Sequence, residues 1–285
     1  MKRIAITGAS GFVGRNLKKM FTKEGYTVVP VKRDILNDVE KLSEVVDGCK
    51  AVINLAGANI IHRWSEKYKK LLYHSRIDTT KSLVEAMGKA RVKPEVFIST
   101  SAVGIYDTKR VYNEEDYELS DDFLGKLCQD WEKEALKAED AGIRTSVFRL
   151  GIVMGEEGAL QKMLPAFKLG IGGTIGDGKH PFSFIHISDL IRVYKLVVND
   201  EYMSGIFNLT APKHTTNYAL TKALGETLHR PTVIPLPKFV LSLIFGEGST
   251  VLTQGQSIYP KRLLDSGFEF EFETIEETVN DLAGK

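Results

Sequence analysis

The chain has 285 residues, 43% of them hydrophobic and 26% charged, which suffices for one large domain or a domain with a smaller lobe. Lys and Arg number 38 against 37 Asp and Glu; this balance gives no global field for nucleic acid or a bilayer, although it allows a local basic patch. Cys49 and Cys128 are too few for a disulfide scaffold, no leader-like apolar core follows the basic start, and no apolar run reaches the roughly 20 residues of a membrane span, so a cytoplasmic protein is expected.

Residues 4–6 read as a short buried strand that breaks at Gly8, and residues 12–23 carry apolar positions at helical spacing. Residues 28–31 are the next strand, 40–46 a helix and 51–55 another strand-length apolar run. A long helix is predicted over about 65–90, a strand at 96–98, a helix over 122–141 and a strand at 144–150. Continuous apolar strands alternating with helices predict an α/β fold, a doubly wound parallel sheet of Rossmann type with a smaller C-terminal substrate lobe. Pro30 cannot donate to a ladder, which makes strand 28–31 a sheet edge. Only two residues separate Val31 from Asp34 and Ile35, so the usual third strand is missing or vestigial. Five glycines between Gly170 and Gly178, and five of nine prolines between Pro212 and Pro260, mark the loop-rich lobe. The expected division is 1–165 as the dinucleotide-binding domain, with 182–209 returning to it, and 166–181 plus 210–285 as the lobe.

The turn Gly8, Ala9, Ser10, Gly11, Phe12, Val13, Gly14 lies between the first strand and the first helix. Glycines there permit a tight turn and close backbone approach, and the helix N-terminus offers free N–H groups to a pyrophosphate. Asp34 and Ile35, then Leu55, Ala56 and Gly57, then the run from Ser99 through Ser101 to Tyr106, follow successive strand ends. In a parallel sheet those ends share one edge, where ligands bind. Together these motifs resemble the extended short-chain dehydrogenase/reductase superfamily over almost the whole chain. Trp64, Ser75-Arg76, Asp130-Trp131-Glu132 and Met163-Leu164-Pro165 are similar to an atypical epimerase/dehydratase-like subfamily with its own small C-terminal domain.

The resemblance puts Lys32, followed by Arg33, where an acidic residue would select NAD. Two cations beside the ribose suit the 2′-phosphate of NADP, and NAD is the weaker expectation. It makes Asp34 and Ile35 an adenine-contacting pair and places Arg76 near the cofactor. It also implies a serine with Tyr-x-x-x-Lys. Ser101 matches the serine, but Phe123 and Leu127 stand at the tyrosine and lysine positions, and Lys126 points about 100° away. Tyr106 is the phenol that could serve instead. Cys128, Trp131 and Glu132 read as packing and solvation rather than catalysis. Six histidines without HxxxH or HxH spacing predict no metal site. The expected protein is an NADP-binding oxidoreductase acting on a small molecule, or a cofactor-binding sensor or scaffold without turnover. A homodimer through the two long helices is the partner that the resemblance implies; neither nucleic acid nor membrane is expected.

Overall fold

A computed structural model describes residues 2–284. Its elements run β1 (Arg3–Thr7), α1 (Phe12–Lys23), β2 (Thr27–Val31), α2 (Val39–Val46), β3 (Cys49–Asn54), α3 (Glu66–Lys89), β4 (Val96–Ala102), β5 (Val111–Tyr112) and α4 (Phe123–Leu136). There follow β6 (Arg144–Leu150), β7 (Ile152–Met154), α5 (Ala159–Lys168), β8 (Phe184–His186), α6 (Ile187–Asn199), β9 (Gly205–Leu209) and α7 (Asn217–Leu228). The C-terminal part adds α8 (Lys238–Phe245), α9 (Thr250–Thr253), β10 (Ser257–Ile258), α10 (Lys261–Asp265) and α11 (Ile275–Ala283).

Six strands form one parallel sheet in the order β2-β1-β3-β4-β6-β9. Alternate residues of each strand feed two cores, which is why the strands read as unbroken apolar runs. Ile4, Ile6, Ile53, Ile98 and Phe148 meet Leu17, Phe21, Leu190 and Val193 of α1 and α6. On the other face, Ala5, Val52, Phe97 and Val147 meet Leu42, Leu83, Met87 and Ala135 of α2, α3 and α4. Strand β2 is the sheet edge, with Pro30 opposite Ile6. A single 3-10 turn, Arg33–Ile35, stands where a third strand would run.

Within residues 182–209, β9 joins the main sheet and α6 packs Leu190 and Val193 against one of its faces. β8 pairs with β7 in a separate two-stranded sheet, because Gly151 breaks the strand line after β6 and packs tightly on Ser183. A third cluster, built on Leu160, Phe167, Leu220, Leu224, Ile275 and Val279, holds α5, α7 and α11 together. Among the described residues no helix is long and apolar enough to cross a membrane.

Candidate functional site

The carboxyl ends of β1, β2, β3, β4 and β6 face one edge, and the sequence-predicted site residues gather there. At the end of β1 the chain turns at Gly8, whose φ of 64° suits a residue without Cβ. A Cβ on Gly8 would lie 2.9 Å from the Leu55 carbonyl oxygen, and one on Gly14 would lie 2.3 Å from the Gly8 oxygen. Gly11 stands at the N-cap of α1 and supplies no side-chain cap. The opening amides of α1 are therefore left for an external acceptor. Phe12 turns its ring onto Gly155, where a Cβ would come within 2.3 Å of it. Val13 packs against the first core, and Ser10 stays exposed with its carbonyl taken by Arg15, which also pairs with Glu157.

The adjoining strand ends are locked by side chains. Thr7 donates to Asn54 Oδ1 at 2.8 Å, and its own oxygen accepts the Leu55 and Ala56 N–H groups at 3.0 and 3.1 Å. Asn54 Nδ2 donates to Thr80, which also receives the Trp131 indole N–H. Such a web satisfies the Leu55 and Ala56 amides from within the protein. Arg76 donates to the carbonyls of Leu72 and Ala58 at 3.1 and 3.0 Å and lies 5.3 Å over the Trp131 ring. Its guanidinium sits against Gly57, where a Cβ would lie 3.0 Å from Cζ. Burial lowers its pKa, and among the described residues it meets no carboxylate.

Past the end of β2, Lys32, Arg33 and Asp34 are exposed, while Ile35 packs into the second core. Among the described residues neither Lys32 nor Arg33 has an ion-pair partner. A constriction that only glycine fits, beside two uncommitted cations, is a donor set that fits a dinucleotide phosphate.

The end of β4 is different. Ser101 is 2% exposed and donates to Glu132 Oε1 at 2.7 Å. Arg149, also 2% exposed, clasps the same carboxylate through Nε and a terminal nitrogen at 2.8 and 2.7 Å. Its other terminal nitrogen donates to the Tyr106 hydroxyl at 2.6 Å, and that hydroxyl donates to Asn208 Oδ1 at 2.7 Å. Burial pushes the Tyr106 phenol up to about 12, only partly offset by the nearby Arg149 charge. Tyr106 is thus wholly enclosed with its proton committed, which removes the basis for reading it as a stand-in proton donor. Glu132, Arg149 and Asn208 were not legible as a unit. The available hint was Arg149 itself, a cation inside an otherwise apolar strand.

The face of α4 turned to Ser101 also differs from the expected register. Leu124 presses on Gly104, Cys128 packs among Val103, Ile105 and Tyr106, and Glu132 reaches Ser101. These positions are four apart and share one face. Phe123 and Leu127 lie on the α3 side with Trp64, Leu72 and Trp131. In either register the face lacks tyrosine and lysine. Burial first, then Glu132, raises the Cys128 thiol to about 12, so it stays protonated and unreactive. Ser99, buried beneath, has a hydroxyl oxygen without a partner. Among the described residues no cluster of His, Cys, Asp and Glu could hold a metal.

Comparisons with known proteins agree with this architecture. Residues 4–210 match the NAD dependent epimerase/dehydratase family, and residues 236–282 match a domain of unknown function, DUF1731. The Bacillus subtilis epimerase family protein YfhF is 35% identical, with 98% of this chain and 97% of that protein covered. A crystal structure of the human epimerase family protein SDR39U1 (isoform 2) with NADPH superposes with a TM-score of 0.92 at 32% identity, covering 99% of each chain. A Bacillus cereus UDP-glucuronic acid 4-epimerase structure (TM-score 0.77, 17% identity, 98% of each chain) shares the fold. The sheet order, the glycine-only turn and these matches lead to one assignment: the chain belongs to the NAD dependent epimerase/dehydratase family, in the branch that carries a C-terminal DUF1731 domain.

Proposed function

We propose that the protein binds NADP(H) along the carboxyl edge of its sheet and serves hydride exchange with a small organic substrate. The observation that carries this reading is the pair Lys32 and Arg33, exposed and uncommitted at the end of β2 beside a turn that only glycine fits. Gly8, Ser10, Gly11, Phe12, Val13 and Gly14 would frame the diphosphate. Lys32 and Arg33 would hold the 2′-phosphate, and Asp34 with Ile35 the adenosine end. Leu55, Ala56, Gly57, Ser99 and Arg76 would line the middle and nicotinamide end. NADPH bound to SDR39U1 supports the same choice of cofactor.

The reacting end follows from proton accounting. A carboxylate held by Arg149 only accepts, so the single Ser101 proton belongs to Glu132. A substrate group meeting Ser101 must then donate to it, which suits a hydroxyl better than a carbonyl. Calorimetry with the two cofactors tests the binding reading. NADPH should bind more tightly than NADH, and Lys32→Ala with Arg33→Ala should weaken NADPH at least about tenfold while sparing NADH. Equal affinities in the unmodified protein would sink it.

The face of α4 without tyrosine or lysine favours a second reading, a cofactor-binding sensor or scaffold. Tight NADPH binding with no turnover across alcohols and carbonyl compounds would put that reading ahead. A cytoplasmic location and a homodimer through α3 and α4 belong to the same proposal; native mass measurement checks the dimer.

A further inference from the structure

Net charge near zero conceals how the charges are placed. Residues 230–245 contain two cations, Arg230 and Lys238, no acid, and nine apolar residues if proline is left aside with Ser and Thr. A run of this kind is ordinarily buried. Here it lies outside. Val233 is 80% exposed, Phe239 71% and Leu243 74%, and Ile234 and Ile244 are more than half exposed. Phe239 and Leu243 are one helical turn apart and share the outer face of α8, while Leu241 seats the helix from below.

The apolar surface continues into residues 169–171. Arg230 Nε donates to the Lys168 carbonyl at 3.0 Å, Gly170 lies against Pro231, and both Leu169 and Ile171 are exposed. Lys168, Arg230, Lys238 and Arg63 border it, and among the described residues none of the four is in ion-pair contact with a carboxylate. Arg63 instead donates to the Leu243 carbonyl at 2.8 Å. Of the acids nearby, Glu247 is taken by Lys69 at 2.5 Å, and Asp177 senses Lys238 from beyond ion-pair distance. A contiguous apolar patch of this extent is unusual on a free surface and marks a contact.

We propose that this face is a peripheral membrane contact, in which α8 and the loops 169–171 and 233–236 settle into the headgroup boundary of an anionic bilayer. Charge complementarity selects this occupant. An anionic leaflet offers an apolar interior under a uniformly negative surface, the complement of an apolar face bordered by cations that, among the described residues, form no ion pair. A protein surface would have to supply matched acids at four separate places. The placement revises the expectation of no bilayer partner, which rested on overall charge and on the lack of a spanning helix. It stands apart from the cofactor reading, since none of these residues lies at the glycine turn.

Sedimentation of the full chain with lipid vesicles is the test. The protein should pellet with phosphatidylcholine vesicles that contain phosphatidylserine, far less with pure phosphatidylcholine, and come off as salt is raised. Phe239→Ser with Leu243→Ser should cut partitioning at least about tenfold, and Arg230→Gln with Lys238→Gln roughly fivefold per cation removed. Both variants should keep the parent's melting temperature and NADPH affinity, showing that the fold is intact. Failure to pellet with the anionic vesicles would overturn the proposal, as would pelleting that neither pair of changes weakens. So would a solution dimer that Phe239→Ser with Leu243→Ser abolishes, because the face would then be a contact between copies of this chain.

Discussion

The glycine turn after β1 and the polar web behind β4 lie on the same sheet edge and treat their polar groups in opposite ways. At the turn, the N-cap residue provides no side chain, Gly14 forbids one, and among the described residues the cations at the end of β2 form no ion pair. Behind β4, Ser101, Glu132, Arg149, Tyr106 and Asn208 satisfy one another in a closed chain. Donors left open wait for a ligand, whereas donors that are buried and saturated hold the scaffold in place. The serine loop, which the resemblance marks as catalytic, therefore sits on the better-satisfied side of this divide.

Breaking the closed web should have the largest effect. Glu132→Ala strands a buried guanidinium and should cost about 3–5 kcal/mol in urea unfolding, while Glu132→Leu with Arg149→Leu should recover much of that loss. A cost under about 1 kcal/mol for the single change would mean that water reaches the pair. Gly14→Ala attacks the open side: its Cβ would fall 2.3 Å from the Gly8 oxygen. The turn must shift, and NADPH affinity by calorimetry should drop at least about tenfold with stability changed less than affinity. Unaltered affinity would remove the turn from the binding site.

Smaller effects sharpen the contrast. Burial, outweighing the pull of Asp281, holds the His186 imidazole below its usual value of 6.5. Well above pH 6.5 neither the folded nor the unfolded chain protonates it. As pH falls below that, the unfolded chain takes up a proton that the folded one refuses, so stability declines by up to about 1.4 kcal/mol per pH unit. His186→Asn can still accept the Ser188 N–H at the start of α6, and it should flatten part of that acid slope in melting curves. His180, shifted the same way, leaves the remainder. An unchanged slope would refute the assignment. Ser101→Ala should cost least, about 0.5–1.5 kcal/mol in the same unfolding assay, because Arg149 still holds both carboxylate oxygens of Glu132.

Local chemistry carried much of the fold. Continuous apolar strands, helical spacing at Leu17 and Phe21, and Pro30 at the sheet edge all depend on neighbours close in sequence, so they were readable without coordinates. The glycine turn and the missing Tyr-x-x-x-Lys pair on α4 were readable for the same reason. The rotation of α4 was not. Each residue turns a helix by about 100°, so a one-residue difference decides whether Leu127 or Cys128 faces Ser101, and that choice is made by packing against Trp64, Leu72 and Gly104. Tertiary structure alone joined Glu132 to Arg149 across 17 positions and Tyr106 to Asn208 across 102. It also turned the apolar run at 230–245 outward, because burial is settled by which elements arrive to cover a segment and not by the segment's own hydropathy.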